Sequence, residues 1–292
     1  MKTNPVIELI LLAAIWGASF LFMRVASPEF GPVLLMALRT LIASLVLLPF
    51  LFLKKQQHAL SGKYKDVFFV GMFNTAIPFV LFGYATLTLS AGVTSVLNAT
   101  TPMFGVLVAF IWFKEKTSLN KIVGLAVGFI GVYILMSDKS AHQQSAVILP
   151  TLAVLLATFC YGFAANFTKA RLSGIGSLAL ATGSQVSATL VLVPLSFFFL
   201  PNQAISIEAI HSVLLLGVIC TGFAYILFFR LIAALGPNNA ITVTYLIPVF
   251  GMLWGYLFLN EQITTNTIIG SLTILLGVGL TTGVISRRML KR

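Results

Sequence analysis

Runs of roughly 20 mainly apolar residues follow one another along nearly the whole of this 292-residue chain, and they constrain its fold more than any other feature. A helix that crosses a bilayer core about 30 Å thick needs about 20 such residues at 1.5 Å per residue. With 59% hydrophobic and 9% charged residues, the composition is not that of a soluble protein. Stretches such as "LIASLVLLPFLFL", residues 41–53, are apolar on every face, unlike the alternating strands of a membrane barrel. The sequence therefore predicts an all-α integral membrane protein.

The boundaries between apolar runs predict ten transmembrane helices. They fall at 5–26, 32–53, 66–88, 92–113, 119–137, 147–169, 175–200, 210–233, 237–259 and 266–286. The most polar stretch, "SDKSAHQQSA" at residues 137–146, separates the first five from the last five. We therefore expect two five-helix units, residues 1–139 and 140–292.

The two units repeat one another at a constant offset of 146 residues. "TPMFGVLVAFIWFKE" at 101–115 and "IPVFGMLWGYLFLNE" at 247–261 carry Pro, Phe, Gly, Leu and Glu at matching places. Further matches pair Gly71 with Gly217, Thr75 with Thr221, Phe82 with Phe228, Asn120 with Asn266, Gly124 with Gly270 and Gly131 with Gly277. Because each unit has an odd number of helices, the second is expected to be inverted in the membrane.

The basic residues predict the orientation. With a cytoplasmic amino terminus, 15 of the 18 Lys and Arg residues fall on the inner side, whereas Arg24 and Lys139 fall on the outer side and Arg39 lies within a helix. This asymmetry predicts cytoplasmic positions for both termini of a protein of the cell inner membrane. The net charge of +11 is spread over short clusters between apolar runs, which does not indicate a nucleic-acid partner.

Glu115 and Glu261 close the repeated segment in each half. Each is expected at a membrane surface, where one helix ends and the next begins near Ser118 or Thr264. A carboxylate there interacts favourably with the N–H groups and dipole of a helix amino terminus. We therefore predict helix-junction residues and not substrate ligands.

Two five-helix halves, "WGASFLFMR" at 16–24, "ALRTLIASLVLLP" at 37–49 and the doubled Pro-to-Glu segment together resemble the drug/metabolite transporter superfamily, in particular its EamA-type members. The resemblance spans essentially the whole chain. It implies a ten-helix inner-membrane carrier of amino acids or other small metabolites, often an exporter. It also implies a central cavity lined by the first, third and fourth helices of each half.

One departure from the superfamily bears on coupling. Small multidrug-resistance relatives use a membrane-embedded glutamate eight residues before a basic residue, whereas here Trp16 precedes Arg24 and Tyr161 precedes Lys169 at that spacing. The acidic residues all fall in loops or near helix ends: Glu8, Glu29, Asp66, Glu115, Asp138, Glu208 and Glu261. The sequence thus offers no midplane carboxylate for proton-coupled export of cationic drugs.

A transport site near the midplane needs polar groups, aromatic walls and helix breaks that free backbone groups. Prolines break the fourth and ninth helices, and polar residues precede both breaks. The predicted substrate-binding residues are Trp16, Ser19, Phe20, Asn74, Thr75, Pro78, Tyr84, Asn98, Thr101, Pro102, Tyr161, Asn166, Thr221, Tyr225, Thr244, Tyr245 and Pro248. Each Ser or Thr hydroxyl either bonds to its own helix or faces substrate, whereas a carboxamide has more groups to satisfy.

Arg39 is the one basic residue well inside a span, about 10 Å from its outer end. A charge at this depth is costly in lipid, so the side chain is expected to face protein or water. It is a carboxylate anchor, a gate, or a structural clamp onto backbone carbonyls.

The expected function is secondary transport of small metabolites, with amino acids favoured. Cys160 and Cys220 both lie in apolar runs, and no phosphate-binding loop, metal cluster or nucleophile–base set is present in the sequence, so neither an enzyme nor a cofactor is expected. A passive facilitator or channel, and a non-transporting receptor or scaffold, remain alternatives. Glycine-rich faces at 124–131 and 277–283 fit either packing within a monomer or contact in a homodimer.

Overall fold

The computed structural model describes residues 4–137 and 141–285, and within these ranges all regular structure is helical. We number the ten membrane helices α1 to α10. They are α1 (Pro5–Phe30), α2 (Pro32–Leu53), α3 (Tyr64–Ala85), α4 (Ala91–Asn98 and Thr101–Ile111), α5 (Leu119–Met136), α6 (Ala141–Arg171), α7 (Ser177–Ser196), α8 (Ile207–Leu235), α9 (Pro237–Ala240, Ile241–Tyr245 and Ile247–Leu259) and α10 (Thr265–Thr282).

Nine of these helices are long and apolar enough to span a membrane, and Ile247–Leu259 of α9 is a shorter apolar helix, counting only the described ranges. Large apolar side chains cover the outside of the bundle, among them Leu53 and Phe198, which are 78% and 83% exposed. Such a surface is stable against lipid and not against water. The predicted all-α membrane architecture with ten helices is therefore confirmed.

Several predicted boundaries need correction. The first helix continues past residue 26 to Phe30 despite Pro28, because the N–H of Gly31 still donates to the carbonyl of Ser27, and α8 is longer than predicted at both ends. The predicted helix at 237–259 is not continuous, since Ile241–Tyr245 forms a 3₁₀ segment. The polar stretch at 137–146 lies partly outside the described residues. Lys139 and the basic residues at the carboxyl terminus lie outside them as well.

Helices α3 and α8 contain π-helical segments at matching positions of the repeat. Met72–Ala76 interrupts α3 and Val218–Phe223 interrupts α8, and the paired threonines Thr75 and Thr221 lie within them. Each threonine falls at the middle of its membrane helix. A π-bulge places one extra residue in a turn and is frequent at functional sites. The repeat thus extends from sequence to a specific backbone distortion.

The two halves pack through symmetric glycine contacts. In α1, Gly17 lies against the backbone of Phe250 and Gly251 in α9, and in α6, Gly162 lies against Phe104 and Gly105 in α4. A side chain at either contacting glycine would collide with the backbone of the opposing helix. The repeated Phe-Gly pairs therefore mark where the first helix of one half crosses the fourth helix of the other.

Helices α5 and α10 form a second close contact between the halves. Gly277 faces the backbone of Gly124 and Gly128, while Gly131 faces Gly270 and Ile274. The predicted small-residue faces are thus used within the chain itself, where they let two helices approach closely.

The Pro-to-Glu segments end in the same way in both halves. Lys114 and Asn260, at matching positions, both adopt the left-handed conformation with φ 52°. The following N–H groups of Glu115 and Glu261 donate to the carbonyls of Ala109 and Gly255, at 3.0 and 3.1 Å. Each bond reaches back six positions along the chain and closes the carboxyl end of its helix, so the repeated segments end with the same backbone geometry.

Candidate functional site

Arg39 occupies the centre of the bundle and contacts three helices besides its own. Its Nε donates to the hydroxyl of Thr221 in α8 at 2.9 Å, and an Nη atom lies 3.7 Å from the sulfur of Met23 in α1. The guanidinium carbon lies 3.8 Å above the ring of Phe79 in α3. The residue is 7% exposed, and no carboxylate of the described chain forms an ion pair with it. A buried charge without a counter-ion is costly, so this arrangement requires an explanation.

Two buried side chains near this charge, Gln185 and Ser19, have polar atoms that form no hydrogen bond of good geometry. Gln185 in α7 is fully buried, and neither polar atom of its amide has a hydrogen-bond partner in the described chain. The same holds for the hydroxyl of Ser19, which is 5% exposed. Tyr225 lies close to both Arg39 and Gln185, and Ser19 lies beside Cys220 in the π segment of α8. Native proteins leave few such groups unsatisfied, so water or a ligand is expected here.

A hydrogen bond joins the π segment of α3 to α7. The hydroxyls of Thr75 and Ser184 lie 2.6 Å apart, both buried. Thr221 additionally donates to the carbonyl of Leu216, five residues earlier, as the wider π turn allows. Thr75 therefore joins the π segment of α3 to α7, and Thr221 joins the π segment of α8 to α2.

Aromatic rings enclose the polar cluster. Trp16 packs edge-on against Tyr225, with ring centroids 6.4 Å apart, and contacts Phe228 at 5.2 Å. On the other side, Phe82 stacks on Tyr161 at 5.9 Å and meets Phe20 edge-on at 5.8 Å. The structure thus brings together the predicted residues Trp16, Ser19, Phe20, Tyr161, Thr221 and Tyr225 with Arg39. Such walls accept apolar parts of a ligand or, through their faces, a cation.

The predicted breaks in α4 and α9 are present. A turn at residues 99–100 separates the two parts of α4, and Pro102 begins the second part. Its counterpart Pro248 begins Ile247–Leu259 after the 3₁₀ segment. Asn98 and Thr244, both partly exposed, lie before these breaks. Proline cannot donate a backbone bond to the preceding turn, which explains the interruption.

Other predicted site residues have partners within the protein. Thr101 donates to the carbonyl of Asn98 at 2.8 Å, and Tyr245 shares a 2.7 Å hydrogen bond with Thr282 of α10. The amide of Asn166 donates to the carbonyls of Gly105 and Gly162, both at 2.9 Å. It holds α6 against α4 at their glycine crossing. Pro78 is buried in α3, and Asn74 and Tyr84 are partly exposed there.

A polar cavity of about 220 Å³ reaches one of these breaks. It is lined by Pro102, Gly105, Val106, Ala109, Glu115, Lys116, Thr117, Lys121 and Asn166. Lys169 forms a 2.8 Å ion pair with Glu115 and, through this hydrogen bond and its charge, lowers the pKa of the Glu115 carboxyl. A larger cavity of about 500 Å³, between α2, α3 and α7, is mostly apolar and contains none of the predicted site residues. Its lining is suited to lipid chains, so we place the site at the polar cluster.

The predicted partner of Glu261, the amino terminus of the following helix α10, was wrong. Its carboxylate does not cap α10, whose first turn is capped by Thr264, but binds the N–H groups of Ala91 and Gly92 at the start of α4. It remains a helix-end residue, as predicted, but it joins the two halves. The inverted repeat brings the end of α9 to the beginning of α4, which a reading of neighbouring residues along the chain misses.

Gln185 was missed as a site residue. The signal was available, because Gln185 stands 146 residues after Arg39, at the same position of the repeat. Glutamine is seldom fully buried, and this one lies beside Tyr225, which in turn lies near Arg39.

A ten-helix bundle with paired helix interruptions around a central polar cluster is the architecture of a multi-pass membrane protein and is typical of secondary transporters. The profile of the EamA-like transporter family matches twice, at residues 4–137 and 148–283. The chain belongs to this family.

The sequences of known relatives align with this chain over almost its full length. The chain is 25% identical to the uncharacterized transporter YoaV of Bacillus subtilis, over 96% of this chain and 97% of that protein. It is 26% identical to an uncharacterized transporter of Archaeoglobus fulgidus, over 93% and 96% of the two chains. A solved crystal structure has the same fold, with a TM-score of 0.65 and 16% identity over 96% of this chain and 97% of its own.

Proposed function

We propose that the protein is a secondary transporter that exports small metabolites, amino acids above all, across the inner membrane by alternating access of its two halves. The family establishes a transporter. The observation that supports this mechanism is the matched pair of π segments, which interrupt α3 and α8 at the same repeat position around Thr75 and Thr221.

The position of these segments supports alternating access. Both lie at helix midpoints, and both face a helix of the opposite half, since Thr75 bonds to Ser184 and Thr221 to Arg39. A distortion that is duplicated by an inverted repeat provides two equivalent hinges, one for each half. The site then opens to one side or the other as the halves rock.

The surroundings of the cluster support a small amphipathic substrate. Trp16, Phe20, Tyr161 and Tyr225 supply apolar walls, and Ser19 and Gln185 supply hydrogen-bonding groups. A few fixed polar groups within apolar walls are typical of small-molecule sites. Amino acids and related metabolites have this combination of polar and apolar parts.

The test is counterflow in vesicles that contain purified protein. Vesicles are loaded with an unlabelled amino acid, and uptake of its labelled form is followed for a panel of amino acids, sugars and nucleosides. A transporter of amino acids shows transient accumulation that saturates and that protein-free vesicles lack. Linear uptake without counterflow would instead support a passive channel, and no uptake of any amino acid would refute the proposed substrate class.

A further inference from the structure

We propose that Arg39 binds the carboxylate of the transported molecule, and that Gln185 and Ser19 complete the site from the opposite half and from α1. The proposal rests on the transport function above and specifies its substrate: a small monocarboxylate, of which amino acids are one kind.

The charge of Arg39 is the first argument. A guanidinium has five N–H donors in a planar fork, and here one N–H donates to Thr221 while another faces a sulfur at 3.7 Å. Sulfur is a weak acceptor, and the Phe79 ring offers only its face. Donors remain for a carboxylate, which matches the planar fork with two parallel hydrogen bonds.

The alternative role of Arg39, a clamp onto backbone carbonyls, does not describe these contacts. Arg24, by comparison, is such a clamp: its guanidinium donates to the carbonyls of Thr86 and Leu87 at 2.6 and 2.7 Å. The side-chain partners of Arg39 are a hydroxyl, a thioether and a ring. These hold the guanidinium in place without neutralising it.

The unpaired polar atoms are the second argument. The amide of Gln185 and the hydroxyl of Ser19 are both more than nine-tenths buried, and neither forms a hydrogen bond of good geometry in the described chain, although Tyr225 and Cys220 lie nearby. Because Arg39 and Gln185 are equivalent positions of the inverted repeat, they approach the middle of the membrane from opposite sides. Tyr225 lies close to both. A ligand between them contacts both halves of the protein at once.

Charge balance selects the anion. A single positive charge is neutralised by a single carboxylate, whereas a phosphate dianion would leave a net negative charge near the midplane, at a high desolvation cost. The titratable neighbours that act on Arg39 in the described chain are Tyr161, Cys220 and Tyr225, and none of them is an acid that could pair with an ammonium group. The carboxylate is therefore the recognised group, and an ammonium group is tolerated beside the aromatic faces of Trp16 and Tyr225.

The experiment uses three compounds of one shape: phenylalanine, its carboxamide phenylalaninamide, and 3-phenylpropanoate, which lacks the ammonium group. Thermal stabilisation of purified full-length protein and counterflow in vesicles are measured for each, and for the corresponding leucine and alanine series. We expect phenylalanine and 3-phenylpropanoate to bind and phenylalaninamide to fail. Arg39→Gln is expected to weaken carboxylate binding about tenfold or more, with Arg39→Lys intermediate.

Two further variants guard against a merely structural effect. Gln185→Glu places a fixed carboxylate in the polar cluster that contains Arg39, so the folded variant is expected to lose its response to 3-phenylpropanoate. Arg24→Gln removes a partly buried clamp and is expected to lower the melting temperature while the preference for carboxylate over carboxamide is unchanged.

The outcomes separate the two proposals. If carboxylates and carboxamides are transported equally, or if Gln185→Glu leaves the response to 3-phenylpropanoate unchanged, the carboxylate site is refuted and the transport function stands. If no carboxylate in any series binds or crosses, both the amino-acid substrate and the carboxylate site are refuted.

Discussion

Glu261 accepts hydrogen bonds from the backbone N–H groups of Ala91 and Gly92, at 2.7 and 3.1 Å, so that a carboxylate from the second half caps the amino terminus of α4 in the first half. Its repeat partner Glu115 pairs instead with Lys169 of α6, and the two side chains are 49% and 73% exposed. Two equivalent positions of the repeat thus hold different partners: Glu261 a helix amino terminus, and Glu115 a lysine side chain.

This difference predicts unequal effects of one substitution. Glu261→Gln is expected to lower the free energy of unfolding by about 1–2 kcal/mol, because α4 loses a charged cap on two N–H groups. Glu115→Gln is the matched control and is expected to change the free energy of unfolding far less, since an exposed ion pair contributes little. Thermal unfolding of the two variants in the same detergent measures both. Equal losses would contradict the capping role.

The close contact between α5 and α10 predicts a second pair. Gly277→Val places a side chain against the backbone of Gly128, which cannot move aside as a side chain does, and is expected to cost about 1–3 kcal/mol or more. The control Ala126→Val lies on the exposed side of α5 and is expected to be neutral. Melting temperatures compare them, and an unaffected Gly277→Val would show that the two helices do not pack this tightly.

The sequence predicts the helices well because a span requires about 20 apolar residues whatever its neighbours are. The repeat predicts the pairing of Thr75 with Thr221, and prolines predict the breaks before Pro102 and Pro248. The cap of Glu261 on α4 was not predictable from adjacent residues, because it depends on how inverted halves meet. The π segments were not predictable either, since the wider turn depends on packing across the halves as much as on local residue types.

Asn98 tests the helix break as part of the site. Its side chain is partly exposed just before the interruption of α4, while its carbonyl accepts from Thr101. Asn98→Ala is expected to reduce transport at least severalfold without loss of folded protein, because it removes an amide and leaves the backbone intact. Asn166→Ala is the comparison, expected to lower stability as well, since its amide joins α6 to α4. Counterflow and gel filtration separate these effects, and wild-type transport by Asn98→Ala would remove this residue from the site.

The basic residues predict the orientation of both termini. Reporter fusions after residues 140 and 292, positions outside the described ranges, are expected to report opposite sides of the membrane, because five helices separate them and the inner side holds 15 basic residues against two. One reporter that is active only in the periplasm and one that is active only in the cytoplasm, each fused at both positions, give the readout. Both fusions on one side would contradict inverted halves.

Coupling gives the last prediction. Trp16 and Tyr161 stand where small multidrug-resistance relatives use a proton-carrying glutamate. Glu8, a buried acid in the first turn of α1, forms an ion pair with Arg230 at 2.7 Å. Arg230 is 60% exposed, so this ion pair is partly solvated and its loss is expected to cost no more than about 1 kcal/mol. Transport should therefore equilibrate a labelled substrate without an imposed pH gradient, and Glu8→Gln should retain that activity, as should the control Glu115→Gln. Accumulation that requires a proton gradient and disappears in Glu8→Gln alone would instead place the coupling site at the Glu8–Arg230 pair.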